Sequence, residues 1–226
     1  MKIIQDYIAP GRRNRPTTYK PSGIYGLKMA PRFLTIHETD NIADTATAAN
    51  HAIWLKTANN LQVGYHFTVD DSGAWKHLPL DEPGWHCGDG VRGTGNRESI
   101  GIEICVNALP EDNLKYLKAV DNAALLAAKL IKEVPSLIQF PECLKQHHDW
   151  SGKNCPTVIR SRNIWSAFVS TVKDYLQDSK PKPEPLQQDV WYRVIAGSYR
   201  DRSNAEMVRQ TLLSQGIGAF IEIYRG

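Results

Sequence analysis

The sequence predicts an α/β fold in which helices cover a mixed central β-sheet, followed by a small C-terminal β-α-β module. Short β-type runs alternate with helical patterns, and a proline-rich stretch interrupts both late in the chain. The chain has 226 residues with ordinary apolar and charged fractions, which suits one well-cored domain plus a small second one. This composition argues against disordered and fibrous classes.

Short apolar runs predict the strands of the sheet. FLTIH (33–37) and GYHFTVD (64–70) have β-type composition, and a DDSG turn joins the second run to AWKHLPL in a predicted hairpin. IGIEICV (100–106) is interrupted only by Glu103, which is typical of a central strand buried on both faces.

Helical patterns lie between and after these runs. They cover residues 44–58, 111–133 and 157–176, and apolar residues recur at intervals of three and four in the second of them. The stretch QHHDWSGKNCP (146–156) is too rich in Ser, Gly and Asn for a helix and is predicted as a loop.

A proline-rich linker separates two predicted domains. Residues 177–189, QDSKPKPEPLQQD, combine prolines with polar residues and have no hydrophobic period. Residues 1–176 form the larger predicted domain and 190–226 the small module. In that module WYRVIAGSY, a helix over 203–215 and IGAFIEIY make up the β-α-β unit.

Charge and hydropathy limit the classes of binding partner that we expect. The formal charge of +3 is small and scattered, so we expect no nucleic-acid partner. No run approaches the roughly 20 apolar residues of a membrane span, and the N-terminus lacks a signal-peptide pattern. We therefore expect no membrane insertion and synthesis in the cytoplasm without a signal peptide. Four irregularly spaced cysteines favour free thiols or metal ligands over a disulfide framework.

Several residues are candidates for chemistry. A carboxylate inside an apolar strand needs a partner. Glu103 is therefore part of a structural ion pair, or lies at a strand end where it reaches water, or has a functional role. Catalytic zinc uses three imidazole, thiolate or carboxylate ligands and leaves a fourth position for water. His147 and Cys155, in one loop, and His37, at the end of FLTIH, are of the right types. Each alone also fits an ordinary surface histidine or core cysteine, and the spacing between His147 and Cys155 is not a specific zinc signature.

Five ordered motifs carry a family resemblance: TIHET (35–39), GYHFTVDD (64–71), GWHCGDG (84–90), GNRESIGIEIC (95–105) and HHDWSGKNCP (147–156). In this order they resemble the zinc-dependent N-acetylmuramoyl-L-alanine amidases, a family that includes phage endolysins, bacillar autolysins and peptidoglycan recognition proteins. The resemblance covers about 1–176, which would be the zinc amidase catalytic domain.

The resemblance implies roles for single residues. It makes His37, His147 and Cys155 the Zn²⁺ ligands, although a one-residue slip would exchange His147 for His148; spacing favours His147. It makes Glu103 the general base and Lys153 a second catalytic group that stabilises the oxyanion.

Tyr65 and His86 would be substrate contacts. The implied reaction is hydrolysis of the amide between the lactyl group of N-acetylmuramic acid and L-alanine in bacterial peptidoglycan, by a phage or prophage endolysin that acts on the wall after release. A host autolysin fits equally. Alternatives are a non-catalytic peptidoglycan-binding module and a cysteine peptidase that uses Cys155 with His147 or His37.

The C-terminal module resembles the first half of a sporulation-related repeat, whose members bind peptide-free glycan. Because the match covers about half of that family's usual length, the module would either be truncated or complete its sheet by pairing, which would make a homodimer. A small domain without binding activity is the third interpretation.

Overall fold

The computed structural model describes residues 1–15, 28–58, 61–107, 109, 113–177, 197–215 and 217–223. The chain divides into two compact units, Met1–Lys180 and Pro181–Gly226. Among the described residues, no helix is both long and apolar enough to cross a membrane.

The first unit is built on a six-stranded sheet. Its strands are β1 (Lys2–Gln5), β2 (Phe33–Glu38), β3 (Phe67–Asp70), β4 (Gly73–Lys76), β5 (Ser99–Ile104) and β6 (Leu144–Gln146). Their spatial order is β1-β4-β3-β5-β2-β6. Only the predicted hairpin β3–β4 is antiparallel, and the other neighbouring pairs are parallel. The mixed central sheet is therefore confirmed.

The two faces of the sheet are chemically different. In the described part of this unit, the helices are α1 (Ala48–Thr57), α2 (Thr94–Glu98), α3 (Asn113–Glu133), α4 (His148–Ser151), α5 (Thr157–Ser161) and α6 (Trp165–Leu176). Helices α3 and α6 pack on each other, and α3 also contacts β3, β4 and β5. Apolar side chains of β2 and β5, such as Ile36 and Ile102, belong to the core that includes these two helices.

Because side chains alternate along a strand, the next residues of β2 and β5 point to the other face. These are Thr35, Gly101, His37 and Glu103, and they lie in register as the pairs Thr35–Gly101 and His37–Glu103. This alternation explains how a carboxylate occurs within an apolar run: Glu103 faces the side of the sheet opposite to the main core.

Several predicted boundaries were wrong for local reasons. Helix α1 begins only at Ala48, because the hydroxyl of Thr47 caps it by accepting from Asn50 N at 3.2 Å. The helix predicted over 157–176 is split into α5 and α6 near Asn163, whose φ is +54°.

The predicted loop 146–156 contains the short helix α4. The carboxylate of Asp149, in its first turn, accepts from Gln146 N at 2.8 Å. Gly152 ends the helix at a φ of +76°, in the left-handed region that glycine tolerates.

In the second unit, the predicted helix is present as α7 (Arg202–Ser214). Asp201 caps it by accepting from Ser203 N at 2.8 Å. Most of the first predicted strand, 191–196, and most of the predicted linker lie outside the described residues. Residues 217–223 form no strand with a described partner.

Gly73 sets the distance between β1 and β4. Its φ is +150°, and a Cβ at this position would lie 2.5 Å from the carbonyl oxygen of Lys2, its partner in β1. Gly11 also has a positive φ, +88°, but has nothing within 4 Å of such a Cβ. A substitution at Gly11 would therefore cause backbone strain alone, whereas one at Gly73 would cause both backbone strain and a steric collision.

We expect Gly11→Ala to lower the free energy of unfolding by about 1–2 kcal/mol, the cost of a left-handed backbone for an L-residue. Gly73→Ala should lower the free energy of unfolding by about 1–3 kcal/mol more than Gly11→Ala does, because its Cβ would also collide with β1. Urea denaturation at fixed metal concentration measures both. Equal losses in the two variants would show that the close approach of β1 does not constrain the fold.

Candidate metal centre

The candidate centre lies where three parallel strands end. His37 is next to the last residue of β2 and pairs in register with Glu103 of β5. On the other side of β2, Ile36 pairs with Gln146 of β6, and His147 N donates to Ile36 O at 3.2 Å. The sheet therefore carries His37, Glu103 and His147 to one edge.

Cys155 completes a group of three ligand-type side chains. It follows α4, where Gly152 turns the chain back, and His148 N donates to the carbonyl oxygen of Cys155 at 3.0 Å. The Nδ1 atoms of His37 and His147 are 3.0 Å apart, and Cys155 Sγ is 3.9 Å from His37 Nδ1. All three ligand atoms lie within 4.8 Å of one another, a spacing that one metal ion could bridge.

Neighbouring His148 is placed differently. Its Nδ1 is 3.2 Å from the carbonyl oxygen of Lys153, on the exposed side of the loop. Neither group of potential metal ligands among the described residues includes it. The structure thus brings His147, and not His148, to His37 and Cys155.

Burial determines the protonation of these groups. It lowers the pKa of His37, with His86 adding to the effect, and lowers the pKa of His147 to about 4, helped by Lys153. Both imidazoles are therefore neutral, which is the form that binds metals. Burial, then the charge of Glu103, raises the pKa of the Cys155 thiol to about 12. A thiolate here needs a cation beside it, and a metal ion supplies one.

A second group of potential ligands shares His37. His86 Nδ1 lies 3.0 Å from His37 Nε2, and Cys87 Sγ lies 3.1 Å from His86 Nδ1. His86 is 7% exposed and Cys87 is fully buried. Neither is among the residues that line the cleft described next.

A cleft of about 520 Å³ opens beside the first group. It is lined by Glu38, Thr39, Asp40, Asn41, Thr45, Ala46, Asn50, His51, Trp54, Val63, Tyr65, Glu103 and Lys153. Three of the predicted functional residues, Tyr65, Glu103 and Lys153, therefore line the same cleft. His86 is not among the lining residues, and it contacts His37 at Nε2.

Glu103 lies close to the candidate ligand His37. Its Oε1 lies 3.9 Å from His37 Nδ1, and its buried Oε2 has no hydrogen-bond partner among the described residues. Burial raises the pKa of Glu103 to about 8, while the positive charge of Lys153 opposes the shift. A buried carboxylate without a protein partner is destabilising unless a ligand or ion compensates for it.

Of these cleft residues, Tyr65 is almost fully buried and Lys153 is exposed. Burial, with the charge of Glu103, raises the pKa of Tyr65 well above its usual value, so its hydroxyl stays protonated.

Sequence reasoning missed the cleft residues of α1. Asn50, His51 and Trp54 line the cleft, and Trp54 is 43% exposed. Their spacing of three and four places them on one helix face, and this was the signal available in the sequence.

Comparisons with known proteins agree with the fold. A family model described as N-acetylmuramoyl-L-alanine amidase matches residues 27–158. The chain belongs to this amidase family. The amidase CwlH of Bacillus subtilis (strain 168) is 42% identical over 182 residues, covering 80% of this chain and 64% of that protein. XlyA of the same strain is 42% identical over 172 residues, covering 76% and 51%. The chain thus spans less than two thirds of the length of these relatives.

Solved structures give the same result. The catalytic domain of XlyA superimposes with a TM-score of 0.64 at 41% identity, covering 76% of this chain and 99% of that domain. The PlyG catalytic domain gives a TM-score of 0.65 at 32% identity, covering 80% and 100%.

The second resemblance is also confirmed: a SPOR domain model matches residues 160–221. This match begins well before the predicted module 190–226 and overlaps α6. The predicted homodimer rested on a half-length module, and the comparisons give it no support.

The buried thiol of Cys155 makes a prediction about alkylation. It is 1% exposed and has a raised pKa, so it should react slowly with iodoacetamide at pH 7 in the folded, metal-free protein. Cys143 is an internal reference, because it is fully buried with its pKa raised to about 11. Peptide mapping by mass spectrometry should find both thiols protected until urea unfolds the chain. Selective, rapid modification of Cys155 would instead indicate an activated nucleophile.

Proposed function

We propose that this chain is a zinc hydrolase that cleaves the amide bond between the lactyl group of N-acetylmuramic acid and L-alanine of the stem peptide. The observation that supports it best is the set of donor atoms of His37, His147 and Cys155, all within 4.8 Å of one another, with Glu103 beside them. The relatives named N-acetylmuramoyl-L-alanine amidase support the choice of bond.

The donor set fits zinc. Two neutral imidazoles and one thiolate are ligand types that zinc prefers, and three protein ligands leave a position for water. Zinc in this position would lower the pKa of a bound water toward neutrality and polarise the substrate carbonyl. It would also stabilise the Cys155 thiolate and the Glu103 carboxylate, whose pKa values are raised in its absence.

Glu103 is the proposed general base. Glu103 lines the cleft, and its carboxylate, whose Oε2 has no described protein partner, would accept the proton of the attacking water and then give it to the leaving amine of L-alanine. The ammonium of Lys153 lowers the pKa of Glu103 and so favours the ionised form that this role requires.

Lys153 and Tyr65 are the proposed stabilisers of the oxyanion. Both line the cleft that contains Glu103. Lys153 supplies positive charge, and the protonated hydroxyl of Tyr65 is a hydrogen-bond donor. The products are a peptide and a peptide-free glycan strand.

The partner that we propose is bacterial peptidoglycan. The SPOR match suggests that the C-terminal unit binds the peptide-free glycan that the first unit generates. The similarity to an endolysin from Bacillus subtilis, at 40% identity, favours action on the cell wall after release from the cell.

Two other functions have less support. A binding module without catalysis would not need Glu103 and a complete set of three metal ligands beside an open cleft. A cysteine peptidase needs an accessible thiolate, whereas Cys155 is buried with a raised pKa.

Digestion of purified peptidoglycan tests the bond specificity. We expect new free L-alanine N-termini and no new reducing sugars, measured by N-terminal labelling and mass spectrometry. A chelator should abolish the release and added Zn²⁺ should restore it. Activity that persists in metal-free protein would contradict the zinc mechanism, and cleavage at another bond would contradict the specificity.

Two substitutions separate metal binding from proton transfer. Glu103→Gln should keep zinc but lower kcat by about 10²–10⁴-fold, because it removes the base and not a ligand. Cys155→Ser should lose zinc and, with it, activity. Zinc content by metal analysis and kcat on soluble peptidoglycan fragments measure both.

Matched controls are Glu142→Gln on the surface and Cys143→Ser in the main core. Both should retain zinc and activity in the folded protein. Full activity of Glu103→Gln, or normal zinc content of Cys155→Ser, would refute the corresponding role.

A further inference from the structure

His86 is a buried imidazole that does not reach the cleft. Its Nδ1 lies 3.0 Å from Nε2 of His37, and the two rings meet edge to face with centroids 5.1 Å apart at 80°. The other nitrogen of His37, Nδ1, is the one that lies near His147, Cys155 and Glu103. His86 therefore contacts the side of His37 that is opposite to the candidate metal centre.

The contact bears on which His37 nitrogen carries the proton. A neutral imidazole has one N–H and one free lone pair. If Nδ1 of His37 binds a metal, its proton must be on Nε2, and a buried N–H needs an acceptor. The structure provides His86 Nδ1 at hydrogen-bond distance. With the proton on Nδ1 instead, His37 would have no lone pair for the metal on the cleft side.

The surroundings of His86 hold its ring in place. The backbone N–H groups of His86 and Cys87 both donate to Oδ1 of Asn96, at 2.9 and 2.8 Å. Two glycines make room for the ring: a Cβ on Gly101 would lie 2.8 Å from its Nδ1, and a Cβ on Gly84 would lie 2.8 Å from its Cδ2. The imidazole thus packs closely against the backbone of Gly84 and Gly101.

Cys87 favours the same proton arrangement. Its Sγ is 3.1 Å from His86 Nδ1, so a protonated thiol can donate to that nitrogen. Burial raises the pKa of Cys87, which keeps the thiol protonated. Cys87 Sγ–H and His37 Nε2–H then share the single lone pair of His86 Nδ1. With Nδ1 as the acceptor, the proton of His86 is on Nε2, which is buried and has no hydrogen-bond partner among the described residues.

We propose that His86 is a positioning residue whose Nδ1 accepts from His37 Nε2–H and thereby fixes the tautomer in which His37 Nδ1 can bind metal. This role rests on the proposed zinc site, and it replaces the substrate contact expected from the sequence. Outer partners of this kind orient histidine ligands and typically change metal affinity by 10–100-fold when removed.

Zinc affinity of full-length variants tests the role without any peptidoglycan. His86→Asn places a carbonyl oxygen near the position of Nδ1 and keeps an acceptor, whereas His86→Leu removes it. Competition with a chromophoric chelator should show a loss of about 10–100-fold for His86→Leu and affinity within a few-fold of wild type for His86→Asn.

His77→Leu is the matched control, because His77 is also fully buried but bonds to Thr68 and has no described contact with His37. It should lower stability and leave zinc affinity unchanged. Wild-type affinity in His86→Leu would overturn the proposal. So would equal losses in His86→Leu and His86→Asn, because shape rather than the acceptor would then matter.

A second measurement needs no variant. Long-range ¹H–¹⁵N NMR of the zinc-loaded chain should show His37 bound through Nδ1 with a protected Nε2–H. Coordination through Nε2, or an unprotonated Nε2, would overturn the proposal. Zinc binding without amidase activity would refute only the proposed function, and a wild-type chain that binds no zinc would refute both.

Discussion

The parallel pairing of β2 with β5 on one side and β6 on the other is the constraint on which the centre depends. It places His37 opposite Glu103 and brings His147 next to Ile36 at the same strand ends. A one-residue slip of β5 would turn Glu103 into the main core and Ile102 toward the cleft. The pairing therefore fixes both the apolar core on one face and the polar groups on the other.

Burying ionisable groups on the polar face of the sheet destabilises the fold unless a ligand or ion interacts with them. His37 and Cys155 are 1% exposed, Glu103 has an oxygen without a described partner, and the pKa shifts of all three come chiefly from burial. Each shift disfavours the charged form, and a divalent cation would favour the carboxylate and the thiolate. In the proposed arrangement, His86 on the far side of His37 would accept from His37 Nε2–H. The groups that position the metal would then extend beyond the residues that touch it.

The sequence predicted the elements whose patterns are long or strongly biased. The apolar runs of β2 and β5, the β3–β4 hairpin and the period of α3 were all found. The three-residue strand β6 and the four-residue strand β1 were not, because runs this short have no periodicity of their own and form by pairing with a neighbour. Helix α4 was missed because it is a single turn held by Asp149 and ended by Gly152.

The candidate site also combines residues that the sequence predicted with residues that only the structure reveals. Motif order singled out His37, Glu103, His147, Lys153 and Cys155, and these lie at one strand edge or cleft wall. It made His86 a substrate contact, because a histidine in a glycine-rich segment is expected to be accessible, whereas the structure places its ring in a slot between Gly84 and Gly101. The cleft face of α1 depends on how that helix packs, which motifs do not encode.

Diffraction from zinc-loaded crystals at the zinc absorption edge would locate the metal. We predict one anomalous peak bound by His37 Nδ1, His147 Nδ1 and Cys155 Sγ, with about 2.0–2.1 Å to nitrogen and about 2.3 Å to sulfur. A peak bound by His86 and Cys87, or no peak near His37, would contradict it.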